Sequence, residues 1–185
     1  MSSGAAFIAR SGTLRHCTEY PVRVLLFCAF YSESTWQALV DGLGGIPTWK
    51  DFNLDKCESI LYEKSVVQKQ VIYTSGFQLV PPTIYFGMNL PHFAASLRLV
   101  KALMECGLPD RLRQCRFAVD ASHILQTAPT LGGFLSLNIL CHLNDAPHTK
   151  FYMRNFATCG PGSRAFYNGC LASPQSTMWQ WSRLD

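Results

Sequence analysis

Two glycine turns bracket the stretch of this sequence best equipped for chemistry. Gly132-Gly133 opens an apolar segment, and Gly160-Pro161-Gly162-Ser163-Arg164 closes a mixed aromatic and basic one. A glycine turn ahead of a helix presents backbone N–H groups and the positive end of the helix dipole, a combination that attracts phosphate. Glycine suits such a turn because a Cβ would hold the phosphate away. Ser163 and Arg164 would add a hydroxyl and a guanidinium to the bare amides of the second turn. Each turn also has a simpler reading: a packing turn for the first, a tight turn with an incidental arginine for the second. Between them stand Cys141, His142, His148 and Cys159. Their spacing matches no common zinc pattern, so no metal site is expected. Nothing in the chain implies a cofactor.

The elements that must position these turns read as helices. Val22–Phe30 is a short apolar run, read as a helix because the adjoining segment is helical. Ser32 to Thr35 supplies caps, Trp36, Leu39, Val40 and Leu43 fall on one helical face, and Gly44-Gly45 stops that helix. Asn53 caps the next, with Leu54, Cys57, Ile60 and Leu61 inward. Val66–Val80 is rich in β-branched residues, and propensity alone predicts a strand over Val71–Val80. Pro91–Cys106 reads as a helix with Phe93, Leu97, Val100 and Met104 on its inner stripe and Arg98 and Lys101 facing away. Gly107 ends it, with Pro109 just beyond. Arg111, Arg113 and Arg116 are expected on a short basic helix. Ser122–Ala128 and Phe134–Leu143 are the helices on either side of the Gly132-Gly133 hairpin.

Length and composition bound the rest. A chain of 185 residues with 48% hydrophobic residues builds a proper core. The expected organisation is an extended arm over residues 1–20, a helical domain over 21–172 and a tail over 173–185. Only 15% of residues are charged, which fits either large buried elements or a surface covered by a partner. Charge is unevenly spread: seven of the 12 acids lie between Glu19 and Glu63, while Lys64 to Phe117 holds seven bases and two acids. Beyond Ala121, up to Leu184, Asp145 is the sole acid, against Lys150, Arg154, Arg164 and Arg183. The C-terminal two-thirds is thus basic, as a surface facing RNA or DNA would be, or simply carries solvated charge.

The eight cysteines contain no C-x-x-C pair, and Cys28 and Cys141 sit inside apolar runs. Buried free thiols in a reducing, intracellular setting fit this pattern better than disulfides. No stretch is long and apolar enough to span a membrane. The first eighteen residues carry Arg10, Arg15 and His16 and no acid, weakly like a mitochondrial targeting sequence. With Met1 retained, a mitochondrial location with an uncleaved N-terminus is one expectation and a nuclear one the alternative.

Four segments occur in an order shared with a known family: LLFCAFYSESTWQALVDGLGGIPTWKDFNLDKCESIL, QVIYTSG, GGFLSLNILCHLND and CGPGSR. Over roughly residues 22–170 the chain resembles the α-glutamyl/putrescinyl thymine pyrophosphorylases, the amino acid:DNA transferases. Their helical domain is also attached to 5-hydroxymethyluracil DNA kinases. The landmarks are Thr35-Trp36, Pro47-Thr48-Trp49, Phe134-Leu135 and Gly160-Pro161-Gly162. The resemblance implies an all-α, helix-hairpin-helix, DNA-glycosylase-like fold. It also implies chemistry on hypermodified thymine assisted by an acidic residue.

The chain departs from that pattern at identifiable places. Cys28 and Tyr31 stand where the family's F-R-x-F-N has arginine and asparagine. Leu137-Asn138 replace tyrosine and glutamine, and His142 replaces the aspartate that precedes a leucine. Asp145 lies three residues further on, near a helix end announced by Pro147. The family continues beyond Gly160-Pro161-Gly162 with more helices, whereas this sequence ends soon after Trp179-Gln180-Trp181, which implies a truncated fold.

The leading expectation is therefore a catalytically degenerate domain that serves as a structural subunit of a larger assembly, such as an organellar ribonucleoprotein. Lys101, Arg111, Arg113, Arg116, Gly132, Gly133, Arg154, Gly160, Gly162, Ser163 and Arg164 would contact nucleic acid, and Trp179 and Trp181 would meet a protein partner. A protein-only organellar complex would use the same surfaces for subunit contacts. The second expectation is an active enzyme on modified thymine with His142 or Asp145 as the residue of chemistry. The third is a sequence-neutral DNA-binding adaptor.

Overall fold

A computed structural model describes residues 19–74, 76, 79, 83–145, 150–154 and 156–158. Among these residues the protein is all-helical. Its eight α-helices are α1 (Glu19–Phe30), α2 (Glu33–Leu43), α3 (Leu54–Tyr62), α4 (Thr83–Phe86), α5 (His92–Glu105), α6 (Leu108–Arg113), α7 (Ala118–Gln126) and α8 (Gly133–Asn144). One π-turn, Glu63–Val67, extends α3. The arm, the tail, Trp179, Trp181, His148, Cys159 and the Gly160–Arg164 turn lie outside the described residues.

α1 is the hub. Every residue from Tyr20 to Phe30 is buried. A helix apolar all round has no solvent face to offer and must be enclosed. It is enclosed by α2, α5 and α8. Each fully buried Leu or Phe of this kind stabilises the fold by about 1.5–3 kcal/mol. Arg23 is the buried charged residue of α1, and its Nε donates to Pro47 O at 3.3 Å. Glu19, at the start of α1, accepts from the Trp49 backbone N–H at 2.6 Å and so ties the loop before α3 to the hub.

The expected caps are present. Ser32 Oγ accepts from Thr35 N at 3.3 Å, and Asn53 Oδ1 accepts from Lys56 N at 2.9 Å. Gly44 and Gly107 adopt left-handed backbone, φ 81° and 73°, and end α2 and α5. The predicted inner stripe of α5, from Phe93 to Met104, is buried.

Three local expectations are corrected. No strand forms over the described part of residues 71–80. Ile72 O accepts from the buried Thr35 hydroxyl at 2.8 Å, and Thr74 N donates to Phe30 O at 3.3 Å. The segment's backbone bonds are thus spent on α1 and α2, and Ile72 packs into their core while Val71 stays exposed. Tertiary burial outweighs β propensity there. Second, α7 begins at Ala118, four residues before the expected start. Its buried stripe is Ala118, Ala121, Ser122 and Leu125, too small and polar for hydrophobic periodicity to register. Third, Arg116 does not belong to the short basic helix. It follows α6 in the link to α7, where Tyr152 bridges to Phe117 in parallel. Among the cysteines, Cys28 and Cys57 are buried free thiols as expected, but Cys141 is exposed on the outer side of α8.

Candidate nucleic-acid interface

Several residues singled out in the sequence as departures from the resembled pattern are close in space, which the contacts of Tyr31 and His142 define. Tyr31, just past the end of α1, adopts φ 54°, an uncommon conformation for a bulky residue. From there its hydroxyl reaches His142 Nε2 at 2.6 Å. Phe27 sets its ring edge-on to the same imidazole, with centroids 6.0 Å apart. At the other end of α1, the Tyr20 hydroxyl donates to the His142 carbonyl at 3.0 Å. Cys28, Tyr31 and Asn138 line one cavity together with Leu25, Leu131 and Ile139.

Electrostatics fix the chemistry of this cluster. His142 is only 3% exposed. Burial pulls its pKa below the ordinary 6.5, with Asp145 opposing more weakly. Burial also pushes the Tyr31 phenol well above its usual range and the Tyr20 phenol to about 12. With the phenol protonated and the imidazole neutral, the contact is a hydrogen bond between two uncharged groups whose direction follows the imidazole tautomer. The cavity beside it measures about 20 Å³. That holds about one water, whereas small-molecule pockets run to about 300 Å³ and more. Asp145 caps the end of α8 and is exposed.

The hairpin between α7 and α8 inverts the expected use of its residues. The left-handed backbone falls on Thr130, at φ 67°, not on a glycine. A β-branched residue held there costs about 1–3 kcal/mol. Its hydroxyl is buried without a partner among the described residues. Gly132 caps α8 in an extended conformation, exposed, with open space where a Cβ would sit. A Cβ on Gly133 would lie 2.7 Å from Thr158 Oγ1. The missing side chain of Gly133 thus admits the returning chain, a packing reason that the spacing of two glycines alone does not reveal.

The expected cations divide into two groups. Lys101 pairs with Glu105 at 3.7 Å, and Arg113 pairs with Asp110. Arg98 pairs with Glu58 at 3.1 Å. Arg111, Arg116 and Arg154 are exposed and form no ion pair among the described residues. The segments that carry Arg116 and Arg154 are joined because Tyr152 N donates to Arg116 O at 2.8 Å and Ala118 N donates to Tyr152 O at 3.2 Å. Arg111 lies on α6, the helix that leads into this corner.

Sequence reasoning missed the aromatic part of the corner. Phe117 is 45% exposed and Tyr152 49%. Their rings meet edge to face at 88°, 6.0 Å apart, and the Arg116 guanidinium stands 5.8 Å from the Phe117 ring centre. Lys150, two residues before Tyr152, donates to Asn144 O at 2.8 Å. The signal was the pair Phe151-Tyr152 set between Lys150 and Arg154, joined to Arg116-Phe117 only by the fold.

Among the described residues no helix is long and apolar enough to cross a membrane, and no group of His, Cys, Asp and Glu side chains could hold a metal ion. What the fold defines is a small all-helical domain built around one buried helix. The chain belongs to the family described as the helical domain of 5-hmdU DNA kinase, whose family model matches residues 7–181. No curated protein and no solved structure matches it.

Proposed function

We propose that this chain is a DNA-contacting helical domain that holds phosphates through Arg111, Arg116 and Arg154 and performs no chemistry at His142. One contrast carries the reading. The imidazole where the resemblance places an acid is buried, neutral and hydrogen-bonded to Tyr31, while three guanidiniums stand exposed without ion pairs among the described residues. A side chain enclosed in this way cannot reach a base, and unpaired surface guanidiniums recognise phosphate oxygens. DNA is favoured over RNA by the description of the family. The test is binding of labelled DNA to the full chain at low and at physiological salt. Affinity that falls steeply with salt supports the reading, and absence of binding at low salt contradicts it.

A second reading, contact with a protein subunit, rests on a different surface. Ile84, Tyr85 and Met88 are 78%, 68% and 82% exposed around the short α4. Adjacent exposed apolar side chains of this size favour a protein contact. Replacing Ile84 and Met88 with serine would reduce self-association or co-purification of a subunit if that surface is used, and would leave both unchanged if it is not.

A further inference from the structure

We infer that the corner formed by Phe117 and Tyr152 is a stacking platform for an unpaired nucleobase, so that the basic face takes a single strand in preference to a duplex. The inference rests on the nucleic-acid reading above and specifies its partner. The corner is built, not incidental. Phe151 is buried at 5% exposure and anchors the segment. Its backbone N–H donates to Asn144 Oδ1 at 2.6 Å, and the Asn144 carbonyl accepts from Lys150. The bridge to Arg116 and Ala118 fixes the other side.

Two aromatic rings are therefore held half-exposed at a fixed mutual angle, a poor use of apolar area unless something covers them. Their surroundings select the cover. Lys150, Arg116 and Arg154 lie within two residues of the bridged pair, and all three are exposed. Asp120, in the first turn of α7, is the acid nearest to them in sequence. A ligand with a flat apolar face and a regularly spaced anionic backbone matches both features, and a polynucleotide strand has that chemistry. A paired duplex hides its base faces inside the stack and offers only the backbone.

The test uses the full chain and three fluorescein-labelled DNA probes of equal length: a thymine strand, an abasic strand carrying the same phosphates, and a duplex. The thymine strand is expected to bind about tenfold more tightly than the abasic strand, the size of one base–aromatic stack. Tyr152→Ala should bring it down to the abasic level, with Phe117→Leu giving a smaller loss and the helical circular dichroism of both variants unchanged. Equal binding of thymine and abasic strands overturns the stacking inference and leaves the phosphate reading standing. So does preference for the duplex. Failure of all three probes to bind overturns both. The abasic comparison needs no variant and so stays decisive even if Tyr152→Ala unfolds.

Discussion

The Tyr31 hydroxyl lies 2.6 Å from His142 Nε2 and joins residues 111 positions apart. Both are buried or half-buried, and the fold makes them hydrogen-bond partners. The phenol keeps its proton, and its hydrogen bond occupies a ring nitrogen through which a histidine base would act. Tyr31→Phe deprives that buried ring nitrogen of this bond and should cost about 1–3 kcal/mol in urea unfolding. In a double-mutant cycle with His142→Phe the two losses should fall well short of additive. Full additivity would show that the pair carries no coupling.

Burial of His142 also makes stability depend on pH. Its folded pKa lies below the 6.5 of an exposed histidine, with burial the larger cause and Asp145 the opposing one. As pH falls through 6.5, the unfolded chain takes up a proton that the folded chain refuses. Stability is thus fully present above that value and is lost as pH drops toward the folded pKa. Urea midpoints between pH 5 and 8 should rise with pH, and His142→Gln should flatten the rise. A variant with the same slope as the parent would place the titration elsewhere.

Thr130 offers an unusual route to greater stability. Its left-handed backbone and a buried hydroxyl without a partner among the described residues are both unfavourable. Thr130→Gly removes both and should raise stability by about 1 kcal/mol in a thermal melt. A lower melting temperature would mean that contacts of the threonine methyl outweigh the strain.

The two hairpin glycines should behave oppositely. Gly133→Ala drives a methyl against Thr158 Oγ1 and should cost about 1–3 kcal/mol. Gly132→Ala meets open space and should leave the melt unchanged. If a phosphate approaches the start of α8, the same Gly132→Ala weakens DNA binding without touching stability. Unchanged affinity would restrict the phosphate contacts to the guanidiniums.

Much of the fold was legible because its signals are local. Ser32, Asn53, Gly44 and Gly107 mark helix ends through their own hydrogen bonds and backbone angles, and α5 announces its stripe by spacing. What was not legible depends on distant partners. Ile72 and Thr74 look like strand residues until Thr35 and Phe30 take their backbone groups. α7 hides its start because alanine and serine form its buried face. Arg116 and Arg154 were both readable as cations, but the joining of their segments depends on the Phe117–Tyr152 bridge. For His142, sequence showed a changed residue. Burial and Tyr31 supply the reason to read it as a structural group.

The central claim is that exposed guanidiniums, and not a reactive centre, carry this domain's role. It is tested most directly by the salt dependence of DNA binding in the full chain, compared with a variant in which Arg111, Arg116 and Arg154 are all replaced by glutamine. Each lost phosphate contact lowers the slope of log affinity against log salt by about 0.7 on a single strand. The account predicts a slope smaller by about 2 in the triple variant, with the melting temperature unchanged. An identical slope, or a parent chain that binds no DNA, would contradict it.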